Sequence, residues 1–180
     1  MITVISGTNR KGSQTRKFAQ LYVEFLQKNT NEAVNLIALE DISLDWIHPG
    51  MYKESEQSDS LRALQDQFII PAEKFVLFAT EYNGSFPGML KLFIDALSIR
   101  EYKATFSAKK VGLVGVASGR SGGLRALDQL SDVMQHMGGV VMPNKLPISL
   151  IKDLMDEHDN ITDPAALSAL EAHAVSLIQF

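Results

Sequence analysis

The chain has 180 residues, 46% of them hydrophobic, and carries 17 Lys and Arg against 21 Asp and Glu for a net charge of −4. That size and composition suit one domain spanning 1–180 with a full apolar core, and the dispersed basic residues leave no electrostatic footprint for nucleic acid or an anionic membrane. Cysteine is absent, which excludes disulfides, thiol redox chemistry and thiolate metal sites, so any redox role must use a bound cofactor.

The first element is a short apolar strand, Ile2 to Ser6. After the loop Gly7-Thr8-Asn9-Arg10-Lys11-Gly12-Ser13-Gln14-Thr15, the residues Phe18, Leu21, Tyr22, Phe25 and Leu26 recur with helical spacing. Val34, Leu36, Ile37 and Leu39 form a second strand, followed by a long loop from about Glu40 to Ser58 that carries Trp46, His48-Pro49-Gly50 and Tyr52. Leu61, Leu64, Phe68 and Ile69 mark a second helix that ends near Pro71. Phe75 to Ala79 is a continuous apolar run, the pattern of a central parallel strand covered on both faces. A third helix follows from about Pro87 to Ser98, then a strand from Val111 to Ala117. A helix with Leu124, Leu127, Leu130, Met134 and Met137 inward ends at Gly138-Gly139, and Val140 to Met142 makes the fifth strand. Asp163-Pro164 opens the last helix, with Leu167, Leu170, Ala174, Val175 and Ile178 inward.

Five alternations of strand and helix call for an open parallel sheet with helices on both faces, an α/β fold of three layers. Ligands of such sheets bind beyond the carboxyl ends of the strands, which directs attention to the loops after strands one, three and four. The first loop is suited to a single phosphate. It ends at a helix start, where unpaired N–H groups and the helix dipole attract an anion. Arg10 supplies a forked cation there and Thr8, Ser13 and Thr15 supply hydroxyls. The simpler reading makes Ser13 only an N-cap. The loop matches neither the glycine pattern of dinucleotide folds nor that of nucleoside triphosphatases.

The second loop, Thr80-Glu81-Tyr82-Asn83-Gly84-Ser85-Phe86-Pro87-Gly88, holds a sharp-turn dipeptide whose exposed backbone groups can pair with a planar heterocycle, beside a tyrosine that can cover a ring. Alternatively Asn83-Gly84 only turns the chain, Ser85 caps the following helix and Glu81 sits near its positive end. The third loop, Ser118-Gly119-Arg120-Ser121-Gly122-Gly123, permits close approach to a flat ligand, with Arg120 either meeting a nucleotide phosphate or remaining a solvated charge. The four histidines, His48, His136, His158 and His173, lack the spacing of metal-binding helices and read as surface or packing residues.

These three segments together, with Glu81-Tyr82-Asn83-Gly84-Ser85-Phe86-Pro87-Gly88-Met89-Leu90-Lys91 the most specific of them, resemble the NADPH-dependent FMN reductase family, which includes azo-dye, quinone and chromate reductases. The resemblance spans roughly 2 to 142. It implies a flavodoxin-like sheet of order 2-1-3-4-5 with noncovalent FMN on its rim. Arg10, Ser13 and Thr15 match the family's phosphate positions, in a loop that includes Thr8 and Gln14. Glu81, Tyr82, Asn83 and Gly84, beside Thr80, match those lining the isoalloxazine, and Ser118-Gly119 matches the adjoining loop. The chain departs from the pattern at Thr8, Thr15, Thr80 and Leu92, where the family often has Ser, Asn, Pro and Asn.

The implied chemistry is hydride transfer from NADPH or NADH to FMN and then reduction of a small-molecule acceptor, with no side chain required as acid or base and so no catalytic residue named. An FMN-containing electron carrier and a nucleotide-binding module without redox turnover are the competing readings; the carrier is expected to have a phosphate loop without Arg and a strongly acidic surface. Helix three is apolar on two sides, with Leu90, Phe93, Ile94 and Leu97 on one and Met89, Leu92 and Ala96 on the other. The second side calls for a partner, giving a homodimer or homotetramer with the loop around Trp46 and Tyr52 near a neighbour's flavin. With no bilayer-length apolar run and no basic segment leading into one, a soluble cytoplasmic protein is expected.

Overall fold

The computed structural model describes residues 1–180. Its parallel sheet consists of β1 (Ile2–Ser6), β2 (Val34–Ala38), β3 (Lys74–Ala79), β4 (Lys110–Val116), β5 (Val140–Val141) and β6 (Leu146–Ile148). The strand order is β2-β1-β3-β4-β5, with β6 also bonded to β4. This is the expected flavodoxin-like order with one refinement. Val140 and Val141 pair with Lys110 and Val111, whereas Leu146–Ile148 pair with Val114–Val116. The fifth position is therefore one edge strand broken in two around Pro143, which has no N–H to give to a ladder.

Helices α1 (Gln14–Asn29) and α6 (Pro164–Gln179) cover one face of the sheet, and α2 (Asp59–Leu64), α3 (Gly88–Leu97) and α5 (Leu124–His136) cover the other, where the short α4 (Tyr102–Phe106) also packs. Period-two alternation along β3 divides its side chains between them. Phe75 and Leu77 join the α3 and α5 side, while Val76 and Phe78 join Phe18, Tyr22, Leu26 and Leu170 on the other. All six residues of β3 are buried, the apolar run Phe75–Ala79 as a twice-covered strand requires and Lys74 with its Nζ donating to the Ile178 carbonyl at 2.6 Å.

Two elements differ from the sequence expectation for tertiary reasons. The second helix leaves α geometry at Leu64 and continues as a π turn over Gln65–Ile69. The buried Gln65 amide nitrogen lies 2.9 Å from the Leu97 carbonyl and 2.8 Å from that of Arg100, so this side chain ties off the end of α3. The segment after β2 is also no free loop. Trp46 is 1% exposed and meets the Phe93 ring edge-on at 5.9 Å, Met51 is buried, and Gln57 Nε2 donates to the Ala96 carbonyl at 3.3 Å. The second apolar side of α3 is covered only in part from within the chain: Ala96 is buried, while Met89 and Leu92 are half-buried at the edge of the core. Trp46 is buried in the chain's own core, whereas Tyr52 remains 57% exposed. No helix is long and apolar enough to cross a membrane.

Candidate active site

Gly7 ends β1 against β3, its N–H donating to the Phe78 carbonyl at 2.9 Å, and the chain then leaves the rim toward α1. Ser13 caps α1, its Oγ accepting the Arg16 N–H at 3.2 Å. The same hydroxyl donates to Glu40 Oε2 at 2.8 Å, and the Ser13 N–H reaches that oxygen at 3.3 Å. Arg16 Nη1 lies 2.9 Å from the other Glu40 oxygen and 2.7 Å from Asp41. Burial alone raises the Glu40 pKa, but the hydrogen bonds from Arg16 and Ser13 outweigh it and hold the carboxyl below its ordinary value. Ser13 thus caps α1, as the N-cap reading expected, and also lines the cleft.

What remains open at this end is backbone. The N–H groups of Gln14 and Thr15 are the first two of α1 and find no acceptor, and that of Gly12 is also unpaired. Gln14 Oε1 is buried without a donor. The Arg10 side chain makes no hydrogen bond or ion pair and lines the cleft together with Gly12, Ser13, Gln14 and Thr15. Unpaired donors, a positive helix end and a free guanidinium fit a phosphate, and an orphan amide oxygen fits a ligand hydroxyl.

The second loop is a two-residue hairpin. Tyr82 and Ser85 exchange backbone hydrogen bonds of 2.8 and 3.1 Å, with Asn83 at φ 52° and Gly84 at φ 82°. Positive φ at both central positions is the geometry that Asn-Gly favours. Ser85 does not cap α3, because its hydroxyl donates to Gln129 Oε1 at 2.6 Å and Pro87 holds the cap position. Glu81 turns toward the start of α5, accepting from Arg125 at 3.1 Å and Ser121 at 3.3 Å. The Tyr82 hydroxyl lies 3.0 Å from Oγ1 of the buried Thr8, which also accepts the Arg10 N–H at 3.3 Å. Thr8 thereby ties the second loop to the first instead of lining the cleft.

All three loops meet on one rim. A cleft of about 530 Å³ is lined by Arg10, Ser13, Gln14, Thr15, Thr80, Tyr82 and Ser118. A second recess of about 330 Å³ adjoins it through Thr80 and Ser118 and is lined by Glu81, Asn83, Gly84 and Gly119. The third loop sits tight on its strand, since a Cβ on Gly115 meets the Gly122 carbonyl oxygen at 2.2 Å. One wall was absent from the sequence reading. Ile151, Lys152, Met155, Asp156, Glu157 and Asp159 line the same cleft. They lie in an irregular segment without periodicity, and only the pairing of β6 to β4 brings it to the rim.

Comparison with known proteins bears on the fold and the family. The family model of NADPH-dependent FMN reductases matches residues 1–153. The chain is 28% identical over 160 residues to an NADPH azoreductase of Bacillus sp., covering 88% of this chain and 79% of that one. It is 30% identical over 128 residues to a quinone reductase of Pseudomonas putida, covering 69% and 64%. Among solved structures, the flavoenzyme NAD(P)H:acceptor oxidoreductase FerB of Paracoccus denitrificans superposes with a TM-score of 0.75 at 22% identity, over 99% of this chain and 94% of that one, and a flavodoxin, WrbA-like protein of Agrobacterium tumefaciens with 0.62 at 16%, over 99% and 93%. The sheet order and the family match over residues 1–153 lead to one conclusion: this chain belongs to the NADPH-dependent FMN reductase family, enzymes whose cofactors are FMN and NAD(P)H.

Proposed function

We propose that this protein takes a hydride from NAD(P)H onto FMN held in the rim cleft and passes electrons to a small acceptor such as a quinone, azo compound, free flavin or metal oxyanion. The observation that carries the reading is the continuity of the cleft. Unpaired helix N–H groups with Arg10 stand at one end, and the Tyr82–Ser85 turn and the Ser118-Gly119 loop stand at the other. In this reading Gln14, Thr15 and Arg10 hold the phosphate, with Ser13 and Thr8 holding the loop around it. Thr80, Glu81, Tyr82, Asn83, Gly84, Ser118 and Gly119 frame the ring. The flavin supplies the hydride-accepting ring, and the chain's own groups bind, orient and shield. No side chain in the cleft is assigned a proton-transfer role.

The azoreductase and quinone reductase relatives support acceptors of those two kinds. A homodimer or homotetramer in the cytoplasm completes the proposal. Its contact surface is the half-buried Met89 and Leu92 side of α3 together with exposed apolar residues such as Tyr52 and Leu44. The test is an absorbance spectrum of the purified protein followed by anaerobic NADPH titration and turnover with a quinone. A yellow protein bleached by NADPH and reoxidised by quinone is expected. A yellow protein inert to NADPH is an electron carrier and overturns the reading.

A further inference from the structure

Glu40 stands in the turn after β2 and is not among the residues that line the cleft, yet its side chain is spent on the residue that opens α1. It is 6% exposed, and one of its carboxylate oxygens accepts two bonds from a single partner, the Ser13 hydroxyl at 2.8 Å and the Ser13 N–H at 3.3 Å. The other oxygen accepts from Arg16 Nη1 at 2.9 Å. Backbone contacts fasten the same turn on either side. The Leu39 N–H donates to the Ser6 carbonyl at 3.0 Å, and Lys11 Nζ donates to the Glu40 carbonyl.

These contacts decide what α1 leaves open. A hydroxyl has one proton, and with that proton on Glu40 the Ser13 oxygen turns its lone pairs to the Arg16 N–H at 3.2 Å, while Ser13 stays extended at φ −68° and ψ 139°. The Ser13 N–H is used as well, so the next two donors, those of Gln14 and Thr15, are the ones without an acceptor. Arg16 is drawn off by Glu40 and Asp41, Lys11 by Asp41 and Lys17 by Asp159, which leaves Arg10 free among the cations of the loop and first turn. An amide cannot stand in for this carboxylate. Ser13 presents two donors to one oxygen and Arg16 a third to the other, whereas glutamine offers a single oxygen and sets its NH2 against donors on the remaining side.

We propose that Glu40 is a positioning residue for the phosphate end of the cleft, holding Ser13 from outside so that the Gln14 and Thr15 N–H groups stand ready for a terminal phosphate. The proposal rests on the flavin reading above. The test is equilibrium titration of the 180-residue chain with FMN and with riboflavin, followed by flavin fluorescence, in the wild type, Glu40→Gln, Glu40→Asp and Asp41→Asn. The two flavins differ only in the phosphate, so their affinity ratio reads that end alone, and a general loosening of the fold lowers both together. Glu40→Gln is expected to weaken FMN about tenfold and to leave riboflavin within about twofold. Glu40→Asp keeps the charge but withdraws it by one methylene, and the ratio falls there too; this variant decides the matter should Glu40→Gln not fold. Asp41→Asn removes the neighbouring carboxylate, which is half-exposed and touches Arg16 and Lys11 but no atom of Ser13, and it holds the ratio within about twofold. An unmoved or increased ratio in the Glu40 variants, an equal loss for both flavins, or an equal fall in Asp41→Asn defeats the proposal and leaves the flavin reading intact. A wild type that binds FMN no better than riboflavin defeats it as well, and one that binds neither defeats both.

Discussion

At the residue scale, the cleft divides into side chains that face a ligand and side chains that hold those in place. Arg10 belongs to the first kind, a free guanidinium beside unpaired N–H groups. Arg10→Ala should weaken FMN binding by about 1–3 kcal/mol, the scale of a charge-assisted hydrogen bond; a flavin titration at fixed ionic strength measures it. Ser13 belongs to the second kind. Its hydroxyl was legible in the sequence as a cap, but Glu40, its acceptor 27 residues away, could not be read from spacing because the contact depends on strand order. His173 is a buried residue with no part in the cleft. Its Nδ1 lies 2.7 Å from the Tyr22 hydroxyl and its Nε2 is 3.0 Å from the Asn144 carbonyl. Since a carbonyl can only accept, Nε2 carries the proton and Nδ1 accepts from Tyr22. Burial lowers the His173 pKa to about 4, although the Asn144 carbonyl acts the other way. The unfolded chain binds a proton near pH 6.5 that the folded chain refuses until pH falls to about 4, so stability is full above that window and declines through it. Chemical denaturation at pH 7 and pH 4.5 should show a loss in the wild type that is smaller by about 2 kcal/mol in His173→Gln.

At the element scale, the parts that periodicity and turn chemistry control were readable and the parts that tertiary contacts control were not. The Asn83-Gly84 hairpin, the Asp163 cap accepting the Ala166 N–H at 2.8 Å and the alternation of strands and helices along the chain follow from local sequence, whereas the spatial order of the strands came from the family resemblance. The π turn at Gln65, the short α4 and the cover of α3 by the segment around Trp46 do not, because each answers to groups elsewhere in the chain. That cover has a measurable weight. Trp46→Ala empties a site packed on Phe93 and should destabilise the fold by about 3–5 kcal/mol in a denaturant titration, while leaving the cleft residues in place. Gly115→Ala is expected to act on the rim instead. Its Cβ collides with backbone at Gly122, which cannot yield as a flexible side chain does. It should lower stability by about 1–3 kcal/mol and displace the third loop, so that flavin affinity and melting temperature fall together.

At the scale of the whole molecule, a ligand on the rim touches four separate parts of the chain at once: the start of α1, the hairpin before α3, the loop after β4 and the 150–160 segment. Binding that joins four elements of the native state and none of the unfolded chain stabilises by mass action. FMN at about 100 times its dissociation constant should add about 2.7 kcal/mol, read as a rise in melting temperature that riboflavin reproduces only in part. The interrupted edge beside β4 has a separate consequence for self-association. A row of outward amides long enough to recruit a foreign strand never develops on that flank, because β5 spans only Val140–Val141 before Pro143 intervenes, and Pro147 removes another donor within β6. Copies of this protein therefore cannot grow into ribbons by zipping backbones together on that side, and whatever assembly they adopt there must be written in side-chain shape.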